Sequence, residues 1–493
     1  MLNPPIRFGT DGWRGVIADE FTFARLGTVV PIAATVLRET YSTAYNSSNT
    51  IVVGYDRRFL SETFAAHTAK AASQTGLNVL LADRFAPTPA FSWAAYDHKT
   101  VGALVITASH NPAAYSGLKL KGPFGGSVSP DLTAQVEAKL AALDEATPLD
   151  QITPGEIQLF NPWESYCAAL RTKVDINRIR EAILSGKLTV FVDVMHGAAA
   201  GGLGEILGLT AADTAHLVEL NGNADPLFGG GAPEPLPKYI GNLLQSVKDY
   251  QPQQSDGLVV GLVFDGDADR IAAVDSQGNF LSSQILIPIL LQHLTVSRGY
   301  KGEFIKTISG SDLMPKVAAL YDLPVYETPV GYKYIAERML SQGEGAVLLG
   351  GEESGGIGYG THIPERDALL SALYVLEAMI TTGQDLSVMY EALQRETNFL
   401  AHYDRIDKHL PSMAARTKLE ASLAQAPLTE IAGRKVINVT APDGYKFYLA
   451  DGSWLLVRFS GTEPLLRLYC EAPTPALVAE TLEFISQWAD QFD

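Results

Sequence analysis

Three times along this chain an apolar run stops at a polar or glycine-rich loop. Val101–Thr107 leads into TASHNP, Leu258–Phe264 into DGDADR (Asp265–Arg270), and Val347–Leu349 into GGEESGG (Gly350–Gly356). Runs of helical period alternate with further apolar runs around each one. Before the first loop these are Ile51–Tyr55, Glu62–Thr75, Val79–Ala82 and Pro89–Tyr96. Strands alternating with helices require βαβ units and a parallel or mixed sheet. Ligands in open α/β sheets sit beyond the carboxyl ends of strands, so the three loops are expected to face one cleft.

The last hundred residues break the pattern. Short strands at Val436–Val439, Leu455–Phe459 and Leu466–Cys470 precede a helix at Pro475–Asp490, as in a smaller α+β domain. Thr147–Pro162, with three prolines and a glycine, reads as a connector. The expected architecture is three similar α/β domains with mixed sheets plus a C-terminal α+β domain around a central cleft. Its expected limits are 1–158, 159–279, 280–392 and 393–493. A length of 493 residues accommodates this at about 100–200 residues per domain.

Composition narrows the partners. A formal net charge of −18 argues against nucleic acid and against anionic membrane surfaces. The apolar run Ile285–Leu291 is too short to span a bilayer and holds Pro288. The N-terminus lacks the apolar stretch of a secretory signal. Two cysteines, Cys167 and Cys470, lie outside any CxxC pattern, which points to a reducing compartment without disulfides or a thiolate zinc site. The expectation is a cytoplasmic protein.

The loops carry chemistry. Ser109 offers a hydroxyl nucleophile, with Lys119 ten residues on. A serine needs a base or a metal to be activated. TASHNP is not the GxSxG elbow of a hydrolase. Adjacent side chains on extended backbone point to opposite sides, so a Ser109–His110 dyad is not expected. Asp265, Asp267 and Asp269 alternate at the end of a buried strand, and a hard divalent cation, Mg²⁺ above all, relieves their repulsion. An EF-hand fits poorly, because Arg270 and Ser276 stand where glycine and glutamate are needed. Arg270 beside the aspartates points to a phosphate neighbour. GEESGG offers Glu352 and Ser354 to vicinal hydroxyls. RFSGTEPLLR sets Arg458, Ser460, Gly461, Thr462 and Arg467 around one turn, the donors a phosphate dianion asks for. Read singly, the serine loop is equally a capped turn, and the arginine loop equally a hairpin. FGTDGWRG is glycine-rich but matches neither dinucleotide nor P-loop patterns.

Together, FGTDGWRG, TASHNP with its lysine, DGDADR, GEESGG and RFSGTEP stand in the order of the α-D-phosphohexomutase superfamily, which the chain resembles over nearly its whole length. The resemblance implies four domains around one cleft. It implies a phosphoserine at Ser109, with Mg²⁺ held by Asp265, Asp267, Asp269 and the phosphoryl group on Ser109. Arg14, His110, Lys119 and Arg270 would surround the transferring group, Lys119 as general acid/base. Glu352 and Ser354 would hold sugar hydroxyls. Arg458, Ser460, Gly461, Thr462 and Arg467 would hold the non-reacting phosphate, and Lys306, Gly331 and Lys333 would fall in ligand-binding stretches. The implied activity interconverts hexose 1- and 6-phosphates through a 1,6-bisphosphate, with glucose 1,6-bisphosphate as activator and phosphosugars as the partners. GEESGG resembles the glucose-handling branch, because phosphoglucosamine enzymes commonly have glutamine at the place of Glu353. Two departures, Ser116 before Gly117 and Phe459 after Arg458, touch no proposed chemical group.

Overall fold

A computed structural model of the chain describes residues 5–9, 11–143, 152–252, 257–343, 345–460 and 463–492. The first sheet orders its strands Trp13–Val16, Tyr115–Lys121, Ala103–Ile106, Thr50–Tyr55, Asn78–Ala82 and Ile157–Phe160. The second runs Phe280–Leu281, Ile271–Val274, Leu258–Phe264, Leu188–Asp193 and Leu217–Leu220. The third runs Val325–Thr328, Glu303–Thr307, Val347–Gly351 and Ile357–Tyr359.

One arrangement recurs in all three. Taken in chain order within each unit, the shared strands lie second, first, third, fourth. The first three are parallel, and the fourth folds back antiparallel on the third. The third-to-fourth hairpins are the TASHNP, DGDADR and GEESGG loops. Each third strand is apolar on both faces because it is sandwiched centrally. LVVGLVF at Leu258–Phe264, for example, is buried at all but its first residue. A central, double-sided strand holds its terminal loop more firmly than an edge would.

The fourth domain has an antiparallel sheet ordered His402–His409, Leu465–Ala472, Trp454–Phe459, Tyr445–Leu449, Arg434–Thr440 and Glu430–Ile431, with helices Met413–Gln425 and Pro475–Ala489. Its core is separate, built on Leu419, Phe447, Leu455, Leu468 and Ile485. One large core runs through the first three domains, from Ile6 to Ala401, and the second and third hold smaller clusters besides, around Leu243 and Ile335. A small cluster of Ile308, Trp454, Leu456 and Tyr469 joins the third domain to the fourth.

Of the elements that lie where the sequence pattern assigns none, three show why. Ile157–Phe160 sits in the expected connector, and the expected limit at 158 falls inside it. It is an exposed edge strand beside Asn78–Ala82, so it lacks a buried strand's apolar signature. Helix Phe23–Tyr41 carries Pro31 in its interior, yet buries Leu26, Val29, Val30, Ala33 and Leu37 along one face. His402–His409 is a charged edge strand, HYDRIDKH. Among the described residues, no helix is long and apolar enough to cross a membrane.

Candidate active site

Ser109 stands at the end of Ala103–Ile106 with a left-handed φ of +53°. Its amide donates to Thr107 Oγ1 at 2.9 Å. The turn corrects the expectation about His110. That expectation assumed extended backbone, whereas the left-handed residue folds the imidazole back, and His110 Nδ1 lies 3.2 Å from Ser109 Oγ. Burial, with Arg270 and Arg14 nearby, holds His110 well below the usual imidazole range, so the ring is neutral.

Arg58, which the sequence reading passed over, fixes this loop. Its guanidinium donates to the carbonyls of Ser109 (2.6 Å), Asn111 (2.6 Å), Pro112 (3.1 Å) and Tyr115 (3.0 Å), and is braced by Asp56 at 3.3 Å. A signal for it existed: Asp56-Arg57-Arg58 leaves the buried strand Thr50–Tyr55, the pattern that marks the other loops. Arg14, on Trp13–Val16 opposite Gly117, reaches Asn111 Oδ1 from the other side.

The aspartate loop meets the serine directly. Ser109 Oγ donates to Asp265 Oδ2 at 3.1 Å. Asp265, Asp267 and Asp269 are fully buried, with ligand oxygens all within 4.8 Å of one another. Asp267 Oδ1 and Asp269 Oδ1 are buried without a hydrogen-bond partner. Buried carboxylate oxygens that lack hydrogen-bond partners fit a hard cation, although Arg270 Nε stands 4.0 Å from Asp269 Oδ1. Burial, reinforced by Asp269, pushes the Asp265 carboxyl up to about 7, against the opposing pull of Arg270. For Asp267 burial is outweighed by Lys119, Thr88 and Arg366, and the carboxyl stays below the usual range. Arg270 Nε donates to Asp265 at 2.9 Å, while its Nη2 is buried without a hydrogen-bond partner.

Lys119 lies 2.7 Å from Asp11 Oδ2, 2.8 Å from Asp267 Oδ2 and 3.1 Å from Asp269 Oδ2. Burial alone would lower its pKa; the three carboxylates reverse that and keep it protonated. Arg366 is a second residue the sequence reading missed, and nothing in its local pattern marks it. It donates to Asp11 Oδ2 (2.9 Å), Asp269 Oδ2 (2.7 Å) and Glu352 Oε1 (3.1 Å), tying together three domains.

Ser354 Oγ donates to Glu352 Oε1 at 2.7 Å, so both sugar-loop candidates join the network through Arg366. Glu353 instead accepts from Ser309 (2.6 Å) and Thr307 (3.3 Å). Lys306 is buried on Asp312 (3.4 Å) and Glu327 (3.2 Å). Gly331 has φ +131°, a conformation glycine permits, and opens the helix Tyr332–Gln342. Lys333 stands over the Tyr334 ring and lines a cavity of about 440 Å³ with Asp11 and Gly12. In the fourth domain Arg458 pairs across strands with Arg467 and donates to Asp443 at 2.8 Å. Asp443 also accepts from the Val330 amide at 2.9 Å, linking this loop to the one before Gly331. The Ser460 carbonyl accepts from Arg416 at 2.8 Å. Gly461 and Thr462 lie outside the described residues.

The four domains correspond, in order, to the four phosphoglucomutase/phosphomannomutase domain families. The α/β/α domains I, II and III match residues 5–147, 164–278 and 282–396, and the C-terminal domain matches 415–487. The chain belongs to this family, within the α-D-phosphohexomutase superfamily. Similar relatives are mutases. A phosphoglucomutase/phosphomannomutase of Thermococcus kodakarensis is 28% identical over 97% of this chain and 96% of its own. A phosphoglucosamine mutase of Carboxydothermus hydrogenoformans is 29% identical over 97% and 98%. A solved structure from Thermus thermophilus, assigned as a phosphomannomutase, superposes with TM-score 0.82 at 31% identity, covering 99% of both chains.

Proposed function

We propose that this phosphohexomutase interconverts hexose 1-phosphate and hexose 6-phosphate, glucose preferred and mannose accepted, through a phosphoserine at Ser109 and a hexose 1,6-bisphosphate. The observation that carries the reading is Ser109 Oγ lying 3.1 Å from Asp265, which shares its loop with two buried carboxylate oxygens that lack hydrogen-bond partners. Phosphoryl transfer depends on positioning and charge neutralisation, and these residues supply both.

Asp265, Asp267 and Asp269 would hold Mg²⁺, which supplies charge neutralisation on the phosphoryl oxygens. Arg58 holds the serine turn by its carbonyls. Arg270, bonded to Asp265, and Arg14, bonded to Asn111, bring guanidinium groups to the serine loop. As the Ser109 O–P bond breaks and the bond to the sugar hydroxyl forms, the hydroxyl proton leaves and Oγ regains one. Oγ takes its proton from protonated Lys119, and the neutral ring of His110, 3.2 Å from Oγ, accepts the one that the sugar hydroxyl releases. Glu352 and Ser354 orient the ring, and Arg458, Ser460 and Arg467 take the distal phosphate. The second transfer reverses these roles after the bisphosphate has turned end for end.

The names of several relatives favour a second reading, glucosamine phosphate as substrate. A phosphorus NMR time course with glucose, mannose and glucosamine 1-phosphates, Mg²⁺ and a trace of glucose 1,6-bisphosphate separates the two. Conversion to 6-phosphate with constant bisphosphate, fastest for glucose, is expected. Fastest conversion of the amino sugar replaces the glucose assignment. Growing bisphosphate or free phosphate identifies a bisphosphate-releasing synthase or a phosphatase.

A further inference from the structure

Resting on the mutase reading, we propose that Arg405 is a further phosphate contact, one that retains the bisphosphate while it turns. The cross-strand register of the fourth domain places it. Asp407 pairs with Arg467, and Arg467 pairs with Arg458, so the three share one sheet face. Arg405, two residues before Asp407 on the same strand, emerges on that face too, opposite Tyr469. Arg405 thus stands on the sheet face that carries the Arg458–Arg467–Asp407 row, one residue pair along from it beside Tyr469.

The row ends inside the cleft. Arg405 lines a cavity of about 450 Å³ together with Glu234, Arg270, Glu353 and Ser354, so one space joins the second, third and fourth domains. Such a volume is within the usual range for small-ligand sites. Arg405 is set in place there: Asp407 accepts from its Nε (3.0 Å) and Nη2 (2.9 Å), and the Tyr469 ring lies 5.7 Å from its guanidinium carbon. Its side chain is 35% exposed, so it is positioned yet reachable.

A turning bisphosphate supplies the need for a cation at this spot. It must leave both the Ser109 end and the Arg458 end, and for that interval its two dianions have lost their partners. A cation that shares a cavity with Arg270 and a sheet face with Arg458 keeps the ligand from leaving. Arg405 accordingly acts on the intermediate and much less on a monophosphate, which keeps the Arg458 site throughout.

The test uses full-length protein with Arg405→Gln and Arg405→Lys. Calorimetric titration with glucose 1,6-bisphosphate and with glucose 6-phosphate is done on a Ser109→Ala background, so that no transfer occurs. Arg405→Gln is expected to weaken bisphosphate binding on the order of tenfold, as loss of a charge-assisted hydrogen bond does, and glucose 6-phosphate by less than about twofold. Arg405→Lys recovers most of the difference. With Ser109 intact, phosphorus NMR of Arg405→Gln during turnover shows bisphosphate accumulating in solution, and added bisphosphate restores the rate. Unchanged binding of both ligands, or equal loss of both, overturns the proposal. Failure of the Ser109→Ala protein with native Arg405 to bind either phosphosugar overturns the mutase reading, and this assignment with it.

Discussion

Arg366 Nη2 lies 2.7 Å from Asp269 Oδ2 and 2.9 Å from Asp11 Oδ2, joining carboxylates of the second and first domains from a position in the third. Lys119 occupies the same two oxygens from the opposite direction. Asp269 therefore has one oxygen saturated by cations and one, Oδ1, left without a hydrogen-bond partner. Arg366→Met leaves three carboxylates of the cleft short of a partner. A loss of about 3–5 kcal/mol is expected for such an uncompensated site, read as a lower midpoint in calorimetric unfolding. Because a divalent cation would restore charge at Asp269, the deficit narrows in saturating Mg²⁺. A deficit indifferent to Mg²⁺ contradicts this account.

Arg58 grips four carbonyls of the serine turn at once. Lysine brings one ammonium on a flexible stem and cannot reproduce a planar fork. Arg58→Lys should lower kcat on the order of a hundredfold through misplacement of Oγ, with KM nearly unchanged. A change confined to KM argues that Arg58 touches substrate instead.

Gly266 packs where no side chain fits. A Cβ there would come 2.5 Å from the Ser109 carbonyl oxygen and 2.9 Å from Pro233. Gly266→Ala forces the aspartate loop away from the serine loop, and a kcat loss on the order of a hundredfold is expected with retained secondary structure. Circular dichroism beside a turnover assay separates this from global unfolding.

Asp265 gives a pH dependence. Its folded value, about 7, lies above the ordinary 3.8, so the folded protein binds the extra proton between those values. Stability of the metal-free protein from this group falls as pH rises through that window. Metal binding needs the carboxylate, so apparent Mg²⁺ affinity should rise with pH up to about 7 and level off above. Calorimetric titration across that pH, from acid to mildly alkaline buffer, checks it; an affinity flat throughout removes Asp265 from the ligand set.

The sequence made the loops legible because each ends a central strand whose apolar run is uninterrupted. DGDADR and TASHNP were visible as chemistry for that reason, and the structure brings them to hydrogen-bond distance. What stayed hidden depends on long-range geometry. Arg366 lies in a stretch without periodic or compositional mark, and its role arises only from the meeting of three domains. The His110–Ser109 approach depends on one positive φ that no residue type announces, serine being no glycine. Edge strands Ile157–Phe160 and His402–His409 escaped because exposed strands need no apolar alternation. Arg405 escaped with the second of them.

The distribution of apolar packing sets where this molecule can give. Three domains are joined by one large core that ends at Ala401, beside smaller clusters within the second and third, while the fourth has its own and meets the third through a small apolar cluster. Serine, metal loop and sugar loop are thus parts of one rigid anvil, and the arginine row is mounted on a separate jaw. Opening for entry or release of sugar breaks less apolar packing where the jaw meets the anvil than between the three loops, and what it breaks there is largely polar, as at Lys446–Ile308 and Asp443–Val330.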